Sequence, residues 1–338
     1  TALVSTLGAA SVAEAVTASM SGNHQTGMEF DSPTGGTDTN AQINDTNFTV
    51  SLSETTDGGM TISSSFKVMD ENTKEDYDAG FTLAFTDGSK LDLLNAGNAS
   101  GSHAVSIPGS AGAEGVATTS TNTAPTGLDA GATATAFGIE YHTAADFLAD
   151  GLSMSFSAST DTGAAAVDTY RVDSHVAIGA TYVTDLGDTS LTIGGGISGS
   201  EGSKLQTAVV DDDNGFHVGL SAVTGDLTVA VGFADGHDTG LSDNGSDEQD
   251  FEVVKAGVKY VSGDLTFNVG IASGEAKDYT IGTSTGSDDS QDVTSASVSY
   301  AVASGVTAIL GYTTTESSDE GASVDDGSAW YIGANMAF

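Results

Sequence analysis

Residues 328–338 read "SAWYIGANMAF". From Trp330 onward every second residue is apolar, and the residues between are mostly small or polar. Successive side chains of a β-strand point to opposite faces, so the segment predicts a strand with one apolar face. Chain ends usually fray unless a sheet holds them. We therefore expect this strand to lie within a sheet, with its apolar face against a nonpolar phase.

The same alternation recurs along the whole chain in runs separated by turn residues. The sixteen runs lie near residues 15–28, 41–53, 59–69, 78–87, 89–95, 133–142, 151–160, 170–183, 188–199, 215–224, 226–235, 250–261, 264–274, 291–303, 305–315 and 328–338. Short connections such as "TDGSK", 86–90, carry Asp-Gly, Gly-Asp or Ser-Gly pairs, which close tight hairpins. Eight other connections are long and mostly acidic, as in "ESSDEGASVDD", 316–326. The rhythm predicts turns at one end of a sheet and loops at the other.

The polar face of the strands distinguishes a membrane barrel from a soluble sandwich. In "LTFNVGI", 265–271, the apolar side chains share one face, while Thr, Asn and Gly share the other. A soluble sandwich would carry charges on that second face, but here charge is concentrated in the connections. We therefore predict an all-β chain: a 16-stranded antiparallel transmembrane β-barrel with short periplasmic turns and long external loops. A β-sandwich is the alternative.

Composition excludes several classes of function. The chain has 338 residues, with 47 acidic and 8 basic side chains and a formal charge of −39. Nucleic-acid binding is excluded as a main function, because no cationic surface is available for phosphates. The absence of cysteine excludes disulfides and thiolate metal sites. An ordered protein of this acidity suits a salty or calcium-rich medium, where cations screen self-repulsion.

The first fifteen residues differ from the rest of the chain. Residues 1–15, "TALVSTLGAASVAEA", form a small-apolar run that ends in an A-x-A pattern. This is typical of the back half of a secretory signal peptide, and a short N-terminal helix is the alternative. Residues 16–338 are predicted to form a single β-barrel domain. No stretch reaches the ~20 apolar residues that a membrane helix needs.

The terminal strand carries a resemblance to a known family. Its Trp330, Ile332, Met336 and Phe338 resemble the C-terminal signature of Gram-negative outer-membrane β-barrels, which the barrel assembly machinery reads. With sixteen strands and eight long loops, the chain resembles general diffusion porins, especially of marine alphaproteobacterial type, over roughly residues 13–338. The resemblance implies an outer-membrane location, contact with outer-membrane lipid and lipopolysaccharide, and a homotrimer.

The longest connection, residues 96–132, occupies the position of the porin loop that folds into the barrel. It holds only two acids, Glu114 and Asp129, unlike the other loops. This composition predicts an in-folded constriction loop, and a flexible low-complexity tip is the alternative. The resemblance implies that these acids oppose an arginine cluster, but Arg171 is the only arginine. The candidate opposing cations on the lumen-facing phase are Lys67, Arg171, Lys255 and Lys259, with Lys90 on the same phase.

Two further groups of residues carry expectations about the barrel walls. The lumen-facing phase also holds Glu140, His142, Asp173, His175 and His217. The histidines are interpreted as solvated pore-lining side chains, because their strands lie too far apart for an obvious metal cluster. The glycine-rich stretch "LTIGGGISG", 191–199, is interpreted as a small-residue exterior surface that would permit contact between barrels.

One acidic cluster suggests a cation site. Asp211, Asp212 and Asp213 offer carboxylates suited to a divalent cation such as structural Ca²⁺. The cluster lacks EF-hand spacing, and an acidic turn explains it equally well. No other cofactor is expected. No G-x-S-x-G, H-E-x-x-H or P-loop pattern occurs, so we predict that the chain is not an enzyme.

These observations predict a passive diffusion channel for small hydrophilic solutes and ions. Carboxylates around the mouth favour cations over anions. One alternative is a secreted acidic calcium-binding surface-layer or adhesion β-protein. The other is a substrate-selective outer-membrane channel, which would show an aromatic track in its lumen. Tyr331 is the one aromatic residue clearly on the lumen phase.

Overall fold

The computed structural model describes residues 16–34, 36–70, 73–74, 80–93, 98–109, 137–160, 172–202, 212–239, 247–280, 288–319, 322–323 and 326–338. The predicted signal-peptide remnant, residues 1–15, lies outside the described residues, as do Glu114, Asp129, Arg171 and Asp211. Within the described part, no helix is both long enough and apolar enough to span a membrane.

Sixteen strands of four residues or more follow one another along the chain. They are β1 (Thr17–Pro33), β2 (Thr39–Thr55), β3 (Thr61–Asp70), β4 (Phe81–Ala84), β5 (Lys90–Leu93), β6 (Phe137–His142), β7 (Leu152–Thr160), β8 (Val172–Leu186), β9 (Thr189–Gly202), β10 (Asp212–Thr224), β11 (Leu227–Thr239), β12 (Asp247–Ser262), β13 (Leu265–Thr280), β14 (Asp288–Ala303), β15 (Val306–Asp319) and β16 (Gly327–Ala337). Two-residue pieces, Thr73–Lys74 and Ala322–Ser323, pair with the ends of β3 and β15. Gly101–His103 forms a single 3₁₀ turn.

The sheet closes into a barrel. Each of the sixteen strands pairs antiparallel with the next, and β16 returns to pair with β1 from Asn23↔Ala337 to Pro33↔Gly327. Phe338 extends this seam, because its backbone N–H and C=O both bond to Gly22 at 3.0 Å. A closed sheet leaves no edge strand unpaired, which is the condition for crossing a bilayer with strands. The expected antiparallel 16-stranded barrel is confirmed.

Alternation along each strand separates an apolar outer face from a small-residue inner face. In β13, Phe267, Val269 and Ile271 are exposed, whereas Gly270 and Ala272 are buried. The buried face points into the barrel, because a Cβ placed on Gly270 would overlap the backbone of Gly109 inside it. Burying apolar area usually stabilises a fold by ~25 cal/mol per Å² in water. An apolar exterior is stable here only if it contacts lipid.

Two belts of aromatic residues border this apolar face. Tyr182, Tyr260 and Tyr300 face outward near the turn end of their strands. Near the loop end, Trp330 packs against Tyr312 on the neighbouring strand, with ring centroids 4.3 Å apart. Aromatic girdles at both interfaces are typical of outer-membrane barrels. They delimit the membrane-spanning height of the wall.

The turn end is built by glycines. All seven short connections contain a glycine with positive φ, a conformation that other residues adopt only at a cost. These glycines are Gly59, Gly88, Gly151, Gly187, Gly225, Gly263 and Gly305. The termini of the barrel lie at this same end, and the longer connections lie at the other. The predicted arrangement of turns and loops is therefore found.

Strand boundaries at the loop end differ from the sequence expectation. The run expected at 264–274 extends to Thr280, and the run expected at 250–261 begins at Asp247. In contrast, within the described residues 80–87 of the run expected at 78–87, only Phe81–Ala84 is strand. The longer strands carry polar residues beyond the apolar belt, so hydropathy alternation marks only their membrane-spanning part.

Candidate functional site

Residues 98–109, the described part of the expected constriction loop, lie inside the barrel along its wall. At one end the Ala99 N–H donates to Ser157 Oγ at 3.0 Å. At the other end Ser295 Oγ donates to the Gly109 carbonyl. The segment therefore reaches from β7 to β14 across the interior. The remaining residues of 96–132 lie outside the described residues.

This segment lies in a row of lumen-facing glycines, which we name the glycine trough. A Cβ on Gly257 would overlap the carbonyl oxygen of Pro108, and a Cβ on Gly196 would overlap the Cα of Ser100. Backbone can approach a wall this closely only where the wall has no side chain. The trough consists of Gly179, Gly194, Gly196, Gly219, Gly257 and Gly270 on strands β8 to β10, β12 and β13.

Two of these glycines correct a sequence interpretation. The stretch "LTIGGGISG" was expected to form a small-residue exterior surface, but Gly194 and Gly196 point into the lumen against His103 and Ser100. Gly195 and Gly199 have the opposite, outward phase. The expectation was wrong because alternation puts every second residue of a strand on the other face.

His103, in the 3₁₀ turn of the loop segment, anchors the segment to two strands. Its Nδ1 lies 2.7 Å from Thr181 Oγ1 and its Nε2 lies 2.8 Å from Ser155 Oγ. His142 on β6 shares the same Ser155 hydroxyl through its Nδ1, also at 2.8 Å. The other nitrogen of His142 bonds to Asp92 Oδ2 at 2.9 Å. Five side chains from loop and wall therefore form one hydrogen-bonded chain.

Burial determines the charge state of the loop histidine. Loss of solvation lowers the pKa of His103 below the ordinary histidine value, and the nearby imidazoles of His142 and His217 lower it further. The neutral form is therefore favoured at neutral pH. Neutral imidazole has one donor and one acceptor nitrogen, which suits a position between two hydroxyl groups.

The expectation of solvated pore-lining histidines is wrong for two of the three. His175 and His217 are both buried, and the loop segment covers the wall in front of His217. His217 Nε2 lies 2.9 Å from the carbonyl oxygen of Ser100. Nearby, Ser102 Oγ donates to the buried Glu140 carboxylate at 2.6 Å. These polar groups of the wall therefore hold the loop and are not left to water.

Two open cavities lie beside His103. The first, of about 360 Å³, is lined by Lys90, Asp92 and His142 together with His103. The second, also of about 360 Å³, is lined by Lys259, Thr228 and the loop segment from His103 to Pro108. Both contain residues from the turn-side ends of their strands. Both linings are rich in hydroxyl groups, which suits water and small hydrophilic solutes. The first carries both signs of charge, and the second carries Lys259.

The expected constriction cations divide between described and undescribed residues. Lys67 pairs with the inward-facing Thr49 and therefore shares the lumen face. Lys255 is 6% exposed, in contrast to the outward Val254 beside it, and Lys259 borders the second cavity. Arg171, Glu114 and Asp129 lie outside the described residues. The role of these six residues as a constriction stays a prediction.

Sequence comparison places the chain in a family. The model of the Gram-negative porin family matches residues 1–320. The chain belongs to this family. The porin is therefore an outer-membrane channel protein, and its family and fold are those of a channel and not of an enzyme. The match gives no support to the alternative of a secreted surface-layer protein. No curated protein matches the sequence.

Solved structures of low sequence identity share the fold of the porin. An anion-selective porin from Comamonas acidovorans is 12% identical, with a TM-score of 0.65 over 96% of this chain and 100% of that chain. The outer membrane channel DcaP of Acinetobacter baumannii is 12% identical, with a TM-score of 0.67 over 96% and 97%. OmpT of Vibrio cholerae, in its trimer form, is 14% identical, with a TM-score of 0.62 over 96% and 100%.

The residues of the expected assembly signature all lie on the outer face of β16. Trp330, Ile332, Met336 and Phe338 are exposed on the apolar side of the barrel. Phe338 also stacks on Phe48, with ring centroids 6.2 Å apart. The signature therefore coincides with the seam that closes the porin.

The expected divalent-cation site stays a prediction. Asp212 and Asp213 begin β10, and their side chains, like Asp211 as a whole, lie outside the described residues. Among the residues that are described, no group of three or more His, Cys, Asp or Glu side chains is arranged to hold a metal ion.

Sequence reasoning missed the chain of hydrogen bonds from Asp92 through His142 and Ser155 to His103. No motif signals it, because the four residues come from three strands and one loop. The available signal was the glycine trough, since glycines recur at the lumen phase on neighbouring strands of the porin. Such a recurrence indicates that a second layer of backbone contacts the wall.

Proposed function

We propose that the porin is a passive diffusion channel for small hydrophilic solutes and ions in the outer membrane of a Gram-negative bacterium. The observation that carries this proposal is the loop segment 98–109 lying in the glycine trough, with open polar cavities beside it. A segment fixed to the wall narrows a lumen without closing it, which gives size exclusion. Recording purified protein in planar lipid bilayers tests the proposal, and absence of conductance steps would refute it.

A substrate-selective channel remains the second candidate, but the lumen gives it little support. Aromatic tracks for a specific solute need exposed rings along the path. Within the described part of the chain, Tyr331 and Phe251 are the aromatic residues on the inner face, and both are buried. Liposome swelling with sugars and amino acids of equal size distinguishes the two functions, since a general channel discriminates by size alone.

We further propose a preference for cations. The chain carries 47 acids against 8 bases, and the acids cluster in the external connections. The opposing charges are lysines on the lumen face, which lie nearer to passing ions. At physiological salt the screening length is about 8 Å, so both groups act only over short distances. Reversal potentials across a potassium chloride gradient measure the ratio of cation to anion permeability.

Removing one lumen lysine should strengthen this preference. Lys259 borders the cavity beside the loop segment, and replacing it by glutamine removes a positive charge from the path. We expect Lys259→Gln to shift the reversal potential further toward cation selectivity. The matched control is Lys277→Gln, because Lys277 faces outward near the loop end of β13. An equal shift in both variants would contradict a local effect in the lumen.

We propose that the porin forms a homotrimer, the form in which OmpT of Vibrio cholerae has been solved. The outer faces of β1 and β2 support this. His24 and Thr46 bond across the strands at 2.8 Å, and Thr26 donates to Asn44 at 2.6 Å. These four residues, the polar patch, lie at the level of the apolar belt, since His24 is opposite Met336 and Thr26 opposite Ala334. Polar side chains facing lipid are costly, so a second subunit is the better neighbour.

Making the polar patch apolar should weaken the trimer. We expect the double variant Thr26→Val/Asn44→Leu to dissociate into monomers at a lower detergent concentration than the wild type, measured by native mass spectrometry. Thr294→Val is the control, because Thr294 is an exposed outward residue on β14, away from the patch. A wild-type protein that is monomeric in mild detergent would refute the trimer itself.

We propose that the barrel assembly machinery reads the terminal signature on β16, and that the exterior contacts outer-membrane lipid and lipopolysaccharide. We also propose weak binding of Ca²⁺ at Asp211, Asp212 and Asp213. The formal charge of −39 supports a marine alphaproteobacterial type, because a salty medium screens such repulsion.

A further inference from the structure

The hydrogen-bonded chain beside the loop segment has a direction. Asp92 can only accept when ionised, so we assign the proton of His142 to Nε2, which donates to it. The Nδ1 of His142 must then accept from the Ser155 hydroxyl. Ser155 in turn accepts from Nε2–H of His103, and the Nδ1 of His103 accepts from Thr181. Every donor and acceptor is used once when both imidazoles are neutral.

One added proton can be accommodated, because a hydroxyl group can turn and accept, but two added protons put like charges on both sides of Ser155. Protonated His142 would present two donors, so the Ser155 hydroxyl would lose the acceptor for its own hydrogen. Protonated His103 would likewise replace its acceptor by a donor toward Thr181. With both rings charged, two cations would each lie 2.8 Å from one oxygen atom, Ser155 Oγ. Like charges this close repel one another, and the repulsion is stronger in a partly buried site than in water.

The residues around His103 and His142 include both acidic and basic side chains. The titratable groups on strands near His103, besides His142, are Lys90, Asp92, Glu140, His175, His217 and Lys259. Asp92 bonds into the chain itself, and Glu140 lies 3.6 Å from His142 Nε2. Glu140 is already bonded to Ser102 of the loop. The Glu140 carboxylate is therefore already engaged by the loop. Among the described residues, the groups next to the His103 ring are hydroxyls and other imidazoles, and none of them is a free carboxylate that would stabilise a charged ring.

We propose that this chain, from Asp92 through His142, Ser155 and His103 to Thr181, is a proton-sensitive latch for the loop segment. At neutral pH the latch holds residues 98–109 in the glycine trough and the channel is narrow. On acidification both rings become charged, their repulsion weakens the bonds through Ser155, and the turn at His103 moves away from the wall. The inference rests on the proposed channel function, because it assigns regulation to the same lumen.

The protonation of His103 determines the direction in which conductance changes with pH. Its lowered pKa means that the neutral, latched form persists through neutral pH and is lost only on the acid side of the ordinary value of about 6.5. Conductance should therefore be constant around neutral pH and should rise about twofold only after the pH falls below about 6.5. Protonation of acidic loops would have the opposite effect, since it reduces cation accumulation at the mouth.

Single-channel recording of the full-length protein tests the latch. The variant His103→Gln/His142→Gln keeps neutral hydrogen-bonding side chains but cannot be protonated, so its conductance should stay at the neutral-pH value in acid. Ser155→Ala removes the shared hydroxyl and should give the higher conductance at both pH values. The control His237→Gln changes a histidine paired with Asp250 on the barrel exterior and should keep the acid response.

A second measurement follows the loop directly. The chain has no cysteine, so Ala104→Cys, on an exposed position of the segment, takes a single spin label. Its mobility should increase in acid, and the glutamine pair should abolish the increase. A wild-type channel whose conductance does not change with pH would overturn the latch, as would an acid response that persists in the glutamine variant. Absence of any conductance would instead refute the channel function.

Discussion

Replacing Gly257 by valine is expected to displace the loop segment from the wall and to raise single-channel conductance about twofold. A Cβ at this position overlaps the carbonyl oxygen of Pro108, and the two further carbons of valine would extend toward the same backbone. The wall strand is fixed on both sides by β11 and β13, so the loop must move. Overpacking of this kind costs about 1–3 kcal/mol, and movement of the segment away from Gly257 would relieve it.

Displacement of the loop segment is measured by single-channel conductance and by the size of the largest solute that passes. Ala256→Val is the matched control, because Ala256 is the neighbouring residue on the same strand and faces outward. It adds two methyl groups toward lipid and should leave both quantities unchanged. If Gly257→Val conducts like the wild type while remaining a folded barrel, the segment does not narrow the path, and the size-exclusion proposal loses its main support.

The barrel could be predicted from sequence because the features that specify it, alternation along the strands and glycine in the turns, recur at regular intervals. Alternation along "LTFNVGI" sets the faces of β13, and glycine-containing turns set the register of hairpins such as β12–β13. These signals repeat in every hairpin, so individual errors of two or three residues do not change the fold. The start of β1 and the end of β16 fall at the turn side by the same count.

The lumen could not be predicted in the same way, because the contacts that organise it have no period. The segment 98–109 contains one 3₁₀ turn and otherwise irregular backbone. Its partners, such as Ser157 and Ser295, are 58 and 186 residues away in sequence. The low acid content of the connection predicts contact with the wall, but it does not indicate which wall residues the connection meets. The lumen-facing glycines of the glycine trough could have indicated these wall residues.

Replacing Tyr331 by alanine is expected to cost about 3–5 kcal/mol of barrel stability, as for other buried aromatic residues. The ring is fully buried on the inner face of the closing strand. A Cβ on Gly27 would lie 2.6 Å from the ring carbon Cε2, and a Cβ on Gly333 would overlap the phenolic oxygen. Ile309 and Ala329 complete its surroundings. Deletion would leave a cavity that these neighbours are too small to fill.

The matched control for this residue is Tyr331→Phe, which separates the ring from its hydroxyl. Within the described part of the chain the hydroxyl has no hydrogen-bond partner, so its removal leaves no acceptor or donor unsatisfied. We expect the phenylalanine variant to be within about 1 kcal/mol of wild type. Urea unfolding in detergent can be followed by the fluorescence of Trp330, the single tryptophan, which adjoins the site. Equal losses in both variants would mean that the hydroxyl, and not the ring packed on two glycines, stabilises the seam between β16 and β1.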